Sequence, residues 1–256
     1  MKTSIMQVKN LTKQFGGITA VNDVSFDVNQ GEIVAVIGPN GAGKTTLFNM
    51  ISSVLPPTKG EVWFMGERIN GAPIHSLAGK GITRTFQNLQ IFENMSVLEN
   101  VMLGVHTQMK TNVYSAALRL PRVKHDDELA RRYALEALEM IGIKDQMNEI
   151  AGNLPYGLQK LLEIARAIVS NPKLILLDEP MAGLNDGETS KIANILIEMK
   201  RNGLSFLFVE HDMKTVMRIA DRIVVIDFGN KIAEGTPEEI QKNQKVIAAY
   251  LGEEVL

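Results

Sequence analysis

One stretch limits this chain to a small set of folds. Gly38-Pro39-Asn40-Gly41-Ala42-Gly43-Lys44-Thr45-Thr46 stands directly between an apolar run, Ile33-Val34-Ala35-Val36-Ile37, and a helical pattern, Leu47-Phe48-Asn49-Met50-Ile51. In the spacing G-x-x-x-x-G-K-[ST], glycines turn the chain tightly and expose backbone N–H groups to phosphate oxygens. The helix that follows points its positive end at the same anion. Gly38, Gly41 and Gly43 shape the loop, and Pro39, Asn40 and Ala42 complete it. Lys44 is placed to reach the β- and γ-phosphates, Thr45 to ligate Mg²⁺ with its hydroxyl, and Thr46 to bond the α-phosphate. The strand–loop–helix context makes this a nucleotide phosphate site rather than a chance glycine turn.

The chain's 256 residues, 45% of them apolar, suffice for one large domain or two modest lobes around a substantial core. Its 27 basic and 29 acidic residues leave a net charge of −2, which gives no global attraction to nucleic acid, so no nucleic-acid partner is expected. Cysteine is absent, and the four histidines show no metal-ligand spacing. No apolar run approaches the roughly 20 residues needed to cross a bilayer. The first eight residues lack the apolar segment and cleavage site of a signal peptide, so the chain is expected on the side of the membrane where ATP is.

The first third carries short β-rich runs, Ile5 to Val8, Val24 to Val28 and Glu61 to Met65, separated by glycine turns and expected to pair antiparallel beside the nucleotide loop. Pro56-Pro57 ends the helix that begins at Gly43. From Ser96 to Asn171 helical periodicity dominates, with Ala130, Tyr133, Ala134, Ala137, Leu138 and Ile141 on one face. This reads as an inserted helical lobe. Arg122 to Asp127 reads as a solvated charged connection within it. After Pro172, Leu174–Leu177, Ser205–Val209 and Arg222–Ile226 read as parallel strands. A hairpin turn at Phe228-Gly229-Asn230-Lys231 follows, then a final helix from Pro237.

The apolar strand Leu174 to Leu177 ends in Asp178-Glu179. With a phosphate loop upstream, Asp178 is expected to hold Mg²⁺ and Glu179 to polarise the attacking water as general base, the division of labour that in-line γ-phosphate hydrolysis requires. His211 follows the strand Phe206 to Glu210, at another sheet end where open α/β folds place functional groups.

With these motifs in this order, the sequence resembles, over almost its whole length, the ATP-binding subunits of ABC transporters. The resemblance implies an α/β fold: a P-loop (RecA-like) nucleotide-binding core, 1–93 and 172–256, with an antiparallel β subdomain and an inserted helical lobe, 94–171, together forming a single ATP-binding domain. It implies that His211 contacts the γ-phosphate, that Phe15 stacks on adenine, and that Gln87 links nucleotide and Mg²⁺ to the lobe. Taken alone, Phe15 is equally a core aromatic and Gln87 a loop amide. Ala182-Gly183-Leu184-Asn185-Asp186 matches the loop that crosses to the opposing subunit, or is a turn with Asn185 or Asp186 as N-cap.

More narrowly, Thr83 to Asn88, Val97-Leu98-Glu99-Asn100-Val101, the insertion up to Asp126 and the ending Ala249-Tyr250-Leu251-Gly252-Glu253 look like the branched-chain amino-acid importer subfamily. Lipopolysaccharide-export ATPases share that ending. The resemblance implies ATP and Mg²⁺ as cofactors and membrane-spanning permease subunits as partners; apolar side chains among Ile91, Phe92 and Met95 are expected to form much of the partner groove, or equally to be buried core. It further implies an indirect solute-binding partner and a peripheral place on the cytoplasmic face of the inner membrane. A soluble ATP-dependent clamp is the competing class, but such relatives usually carry two cassettes and basic linkers, and this chain has one cassette.

One departure stands out. The family's signature, resembling Leu-Ser-Gly-Gly-Gln, completes the ATP site of the opposite subunit. Here it reads Leu154-Pro155-Tyr156-Gly157-Leu158-Gln159, and only Leu154 and Gly157 match. Proline is tolerated where a helix starts, so the helix dipole and the Gly157 N–H remain available. The lost serine hydroxyl removes a bond to a charged group, on the order of 1.5–3 kcal/mol. The expectation is a heterodimer of two ATPase chains with unequal sites, with a homodimer as the alternative.

Overall fold

The structure, a computed structural model, describes residues 3–85, 89–105 and 121–251. Every residue of β3 (Ile33–Ile37) is buried, because apolar layers cover both of its faces. Ile33, Ala35 and Ile37 enter one core cluster, and Val34 and Val36 enter the other. Leu174 and Leu176 part from Ile175 and Leu177 of β7 (Leu174–Asp178) in the same way, and Leu207 and Val209 from Phe206 and Phe208 of β8 (Ser205–Val209). Continuous apolar runs of strand length are what a sheet buried on both faces requires.

These strands lie in a six-stranded sheet of order β10-β9-β3-β8-β7-β6, completed by β6 (Ile82–Arg84), β9 (Arg222–Asp227) and β10 (Asn230–Gly235). All neighbours are parallel except β9 and β10, a hairpin turning at Phe228-Gly229. A second, antiparallel sheet has the order β2-β1-β4-β5, formed by β1 (Ser4–Phe15), β2 (Ile18–Asn29), β4 (Lys59–Phe64) and β5 (Glu67–Arg68). α1 (Lys44–Ile51) contributes Leu47, Phe48, Met50 and Ile51 to the cluster between the two sheets. α2 (Ile74–Lys80) precedes β6.

On the other face of the large sheet lie α3 (Val97–Leu103), α4 (Pro121–Ile141), α5 (Tyr156–Ile168) and α6 (Asp186–Arg201), whose apolar stripes share one cluster. α7 (Met213–Ile219), α8 (Pro237–Gln241) and α9 (Gln244–Leu251) close the chain.

Two expectations need correction. Arg122 to Asp127 is no linker but the first turns of α4, and Asp126 is buried. Proline at the first helical position favours a helix start there. Asp126 also lies four residues before Ala130 on the buried stripe that continues to Ala134 and Leu138. The helix at Pro237 is two helices, because the Asn243 side chain accepts a hydrogen bond from the Lys245 N–H at 2.9 Å and starts the second.

One ion-paired junction joins the two sheets. The Arg222 guanidinium holds Glu32 through Nε (3.0 Å) and Nη2 (2.9 Å), donates to the Asp27 carbonyl at 2.7 Å, and pairs with Glu234. Burial pushes the Glu32 carboxyl up, but Arg222 and the Asn29 N–H together outweigh it and hold the group below its ordinary value. A depressed carboxylate contributes stability that is fully present above its unfolded value and is lost as pH falls through the folded one. Glu32→Gln is therefore expected to cost stability at pH 7 and progressively less below the ordinary value of 4.5. Denaturant titrations of both proteins across that range check it; a constant difference would remove Glu32 from the acid response.

Candidate active site

Strand register brings the functional ends together. Val36 of β3 and Asp178 of β7 both pair with Val209 of β8, so the phosphate loop, Asp178-Glu179 and Glu210-His211 leave the sheet side by side at one edge. This is the carboxyl end of the parallel strands, where open α/β sheets bind ligands.

The loop has the shape its glycines allow. Gly38 has φ 155°, and a Cβ there would sit 1.9 Å from the Ile226 carbonyl oxygen. At Gly43, φ 98°, a Cβ would lie 2.4 Å from the Ala20 oxygen. Gly43 is the N-cap of α1, no side chain caps that end, and the first turn has no acidic residue, which leaves the N-terminal N–H groups facing the cradle. Lys44 is buried, and its ammonium donates to the carbonyls of Gly38 (2.6 Å) and Pro39 (2.8 Å). Thr45 is exposed and Thr46 half-buried, both in the first turn of α1.

Asp178 is 5% exposed, and Arg84 of β6 donates to its Oδ2 from Nη2 at 2.8 Å. Arg84 also bonds the Ser52 hydroxyl beyond α1 and lies over the Phe48 ring, 5.0 Å from its centroid. Glu179 takes a left-handed backbone, φ 48°, and donates its N–H to the Val209 carbonyl at 3.0 Å. A non-glycine residue in that region stores on the order of 1–3 kcal/mol of strain, a recurrent trait of functional positions. His211 Nδ1 stands 3.5 Å from Glu179 Oε1, with the imidazole more than half exposed.

The signature segment and the loop after β7 pack on each other. Pro155 is the N-cap of α5 and supplies no side-chain cap, so the departure from serine leaves the helix end bare. A Cβ at Gly157 would come within 2.3 Å of Glu188 Oε1, and the Tyr156 ring lies against Gly183. Asn185 proves to be the N-cap of α6, in a capping box with Glu188. Leu154 is buried in the core, so its side chain anchors the turn rather than facing a ligand. Phe15 is half exposed with the Lys13 ammonium 5.1 Å above its ring, which excludes the core-aromatic reading. Gln87 and Asn88 lie outside the described residues.

Two elements escaped sequence reasoning. β6, which carries Arg84, is three residues long and is defined by pairing with β7. Glu210, which the sequence offers only as a strand end, is 1% exposed, and burial pushes its carboxyl up against the pull of neighbouring N–H groups. Beside the site, a cleft of about 280 Å³ is lined by Leu77, Arg84, Gln90, Leu103, Glu163 and Arg166. Near it, Phe92 is half exposed while Asn100, fully buried, clamps its backbone from both sides. Ile91 packs partly on the core.

A glycine cradle at a helix N-terminus, a buried aspartate and a Glu–His pair on adjoining strands define a P-loop nucleotide hydrolase. The sequence profile of the ABC transporter family matches residues 21–182, and that of the branched-chain amino acid ATP-binding cassette transporters matches residues 230–255. The high-affinity branched-chain amino acid transport ATP-binding protein BraF of Pseudomonas aeruginosa is 42% identical over 99% of this chain and 100% of its own. LivG of Escherichia coli, described in the same words, is also 42% identical over the same shares. Among solved structures, the ADP conformation of an ATP-binding cassette of an ABC transporter superposes with a TM-score of 0.85 at 34% identity, covering 98% of this chain and 99% of that one. The chain belongs to the ATP-binding subunits of ABC transporters, in the branched-chain amino-acid subfamily. It is an ATPase of that family, and nucleotide is its ligand.

Proposed function

We infer that this chain hydrolyses ATP to drive an importer of branched-chain amino acids, bound peripherally to permease subunits at the cytoplasmic face of the inner membrane. The observation that carries the chemistry is the shared strand register that sets Lys44, Glu179 and His211 at one sheet edge. The cargo rests on the names of the relatives and on the match at 230–255. No described helix is long and apolar enough to cross a membrane, so attachment runs through a partner.

ATP enters with its phosphates in the 38–46 loop and its adenine against Phe15. The helix N–H groups and Lys44 neutralise the phosphates. Glu179 takes the proton of the attacking water, and His211, its Nδ1 3.5 Å from Glu179 Oε1, orients toward the γ-phosphate. Mg²⁺ fits the donor set, since the Thr45 hydroxyl and the Asp178 carboxylate are hard oxygen ligands beside a cradle that a Cβ would fill. Held there, the ion would supply charge neutralisation to the phosphates. Gln87 would join them from the segment after β6.

Residues 94–171 act as the lobe that relays closure to the permease, with the cleft beside Arg84 and the exposed Phe92 as docking ground. The second ATPase is a different chain. Pro155 leaves this chain's signature without its hydroxyl, so the site built from this chain's Lys44, Asp178, Glu179 and His211 with the partner's signature is the better one. An indirect partner is a solute-binding protein that selects the amino acid.

Affinity recovery of the chain from gently solubilised native membranes, with mass identification of what stays bound, tests the assembly. Membrane-spanning subunits with a second ATPase are expected. Recovery with ribosomes or soluble proteins alone would overturn the reading, and recovery of a single ATPase chain would replace the heterodimer with a homodimer.

A further inference from the structure

We propose that Glu210 is a positioning residue that ties the loop after β7 to His211, so that the two move as one piece. The inference rests on the reading of Glu179 and His211 given above. The Glu210 side chain is 1% exposed, and both its oxygens are engaged by backbone groups of separate segments. Oε1 accepts from the Met181 N–H at 3.0 Å, and Oε2 accepts from the His211 N–H at 2.9 Å.

Met181 opens the segment that runs through Ala182-Gly183-Leu184 to the α6 cap at Asn185, and the Leu184 N–H bonds back to the Met181 carbonyl at 3.2 Å. The other oxygen holds the backbone of the histidine whose ring lies 3.5 Å from Glu179. The Glu179 N–H in turn bonds the Val209 carbonyl, which closes a ring through Val209, Glu210, His211 and Glu179. A displacement of the 181–185 loop is thereby transmitted to the His211 backbone through the Glu210 carboxylate, a side chain that burial and two N–H contacts hold in place.

Only a carboxylate can do this with both oxygens. Glutamine has nearly the same shape, but its NH₂ would meet a backbone N–H head-on, whether that of Met181 or those of His211 and Asp212, so the substitution cuts one side of the tie and leaves the packing in place. Because the tie acts on geometry and not on nucleotide contacts, its loss falls on kcat and not on KM.

The test is steady-state ATP turnover of the assembled transporter carrying Glu210→Gln, His211→Ala or both. Glu210→Gln is expected to lower kcat by about tenfold to a hundredfold, with KM for ATP changed by less than about twofold. In the His211→Ala background the same change is expected to alter kcat by less than about twofold, since the group it positions is gone. Equal losses in both backgrounds, or a loss confined to KM, would overturn the proposal. Full turnover by His211→Ala alone would overturn the reading of the site itself, and the proposal with it.

Should Glu210→Gln fail to fold, hydrogen exchange of the unaltered chain decides. The Met181 and His211 amides are expected to exchange through one common opening; independent opening would overturn the tie.

Discussion

Glu179→Gln is expected to lower ATP turnover by about 10²–10⁴-fold, because the amide cannot take the proton of the attacking water. Nucleotide binding is expected to persist, since the phosphates are held by the loop, the α1 end and Lys44, none of which the substitution touches. The glutamine keeps the shape of the original side chain and the backbone bond to Val209, so the strained φ 48° is retained. In the assembled pair the effect is expected to be unequal. In the proposed heterodimer the site using this chain's Glu179 would take its signature from the partner, whereas the other site would depend on a signature in which Pro155 replaces the serine. Glu179→Gln should therefore cost far more turnover than the matching change in the partner. Turnover assays on the two singly substituted assemblies measure this, and equal losses would sink the asymmetry.

The second large effect is one of stability. Arg84 and Asp178 form a buried ion pair, with side chains 10% and 6% exposed. Removing one member leaves the other desolvated, at about 3–5 kcal/mol. At about 2–4 °C per kcal/mol for a chain of this size, Arg84→Leu should lower Tm by on the order of 10 °C. Asp178→Leu in the Arg84→Leu background should recover much of that loss, because an apolar pair leaves no charge stranded. Thermal unfolding of the single and double variants separates the cases. An Arg84→Leu protein melting with the parent would show that the pair does not stabilise.

What the sequence disclosed and what it hid follow from one distinction. The phosphate loop was legible because strand, glycines, lysine and helix are contiguous, and Asp178-Glu179 because an apolar strand points to them. His211 acquired meaning only beside them. Arg84 could not be read, since three residues carry no usable period and their partner strand lies about ninety positions downstream. Glu210 was hidden for the same reason: its role depends on where Met181 arrives in space. The error at Arg122 to Asp127 was of another kind. The charges were read as solvated because they are charges, although the four-residue step from Asp126 to Ala130 was available to show that one of them lies on the buried face. The split between α8 and α9 was likewise within reach in Asn243, a residue that competes with helix continuation.

Lys44 gives the phosphate loop an internal tie of its own. With its ammonium bonded to the Gly38 and Pro39 carbonyls, the cation lies inside the turn that it serves. The loop is thus moulded around a positive charge supplied by its own chain. A substitution that removes Lys44 therefore takes away two things at once, a grip on phosphate and the internal template of the loop.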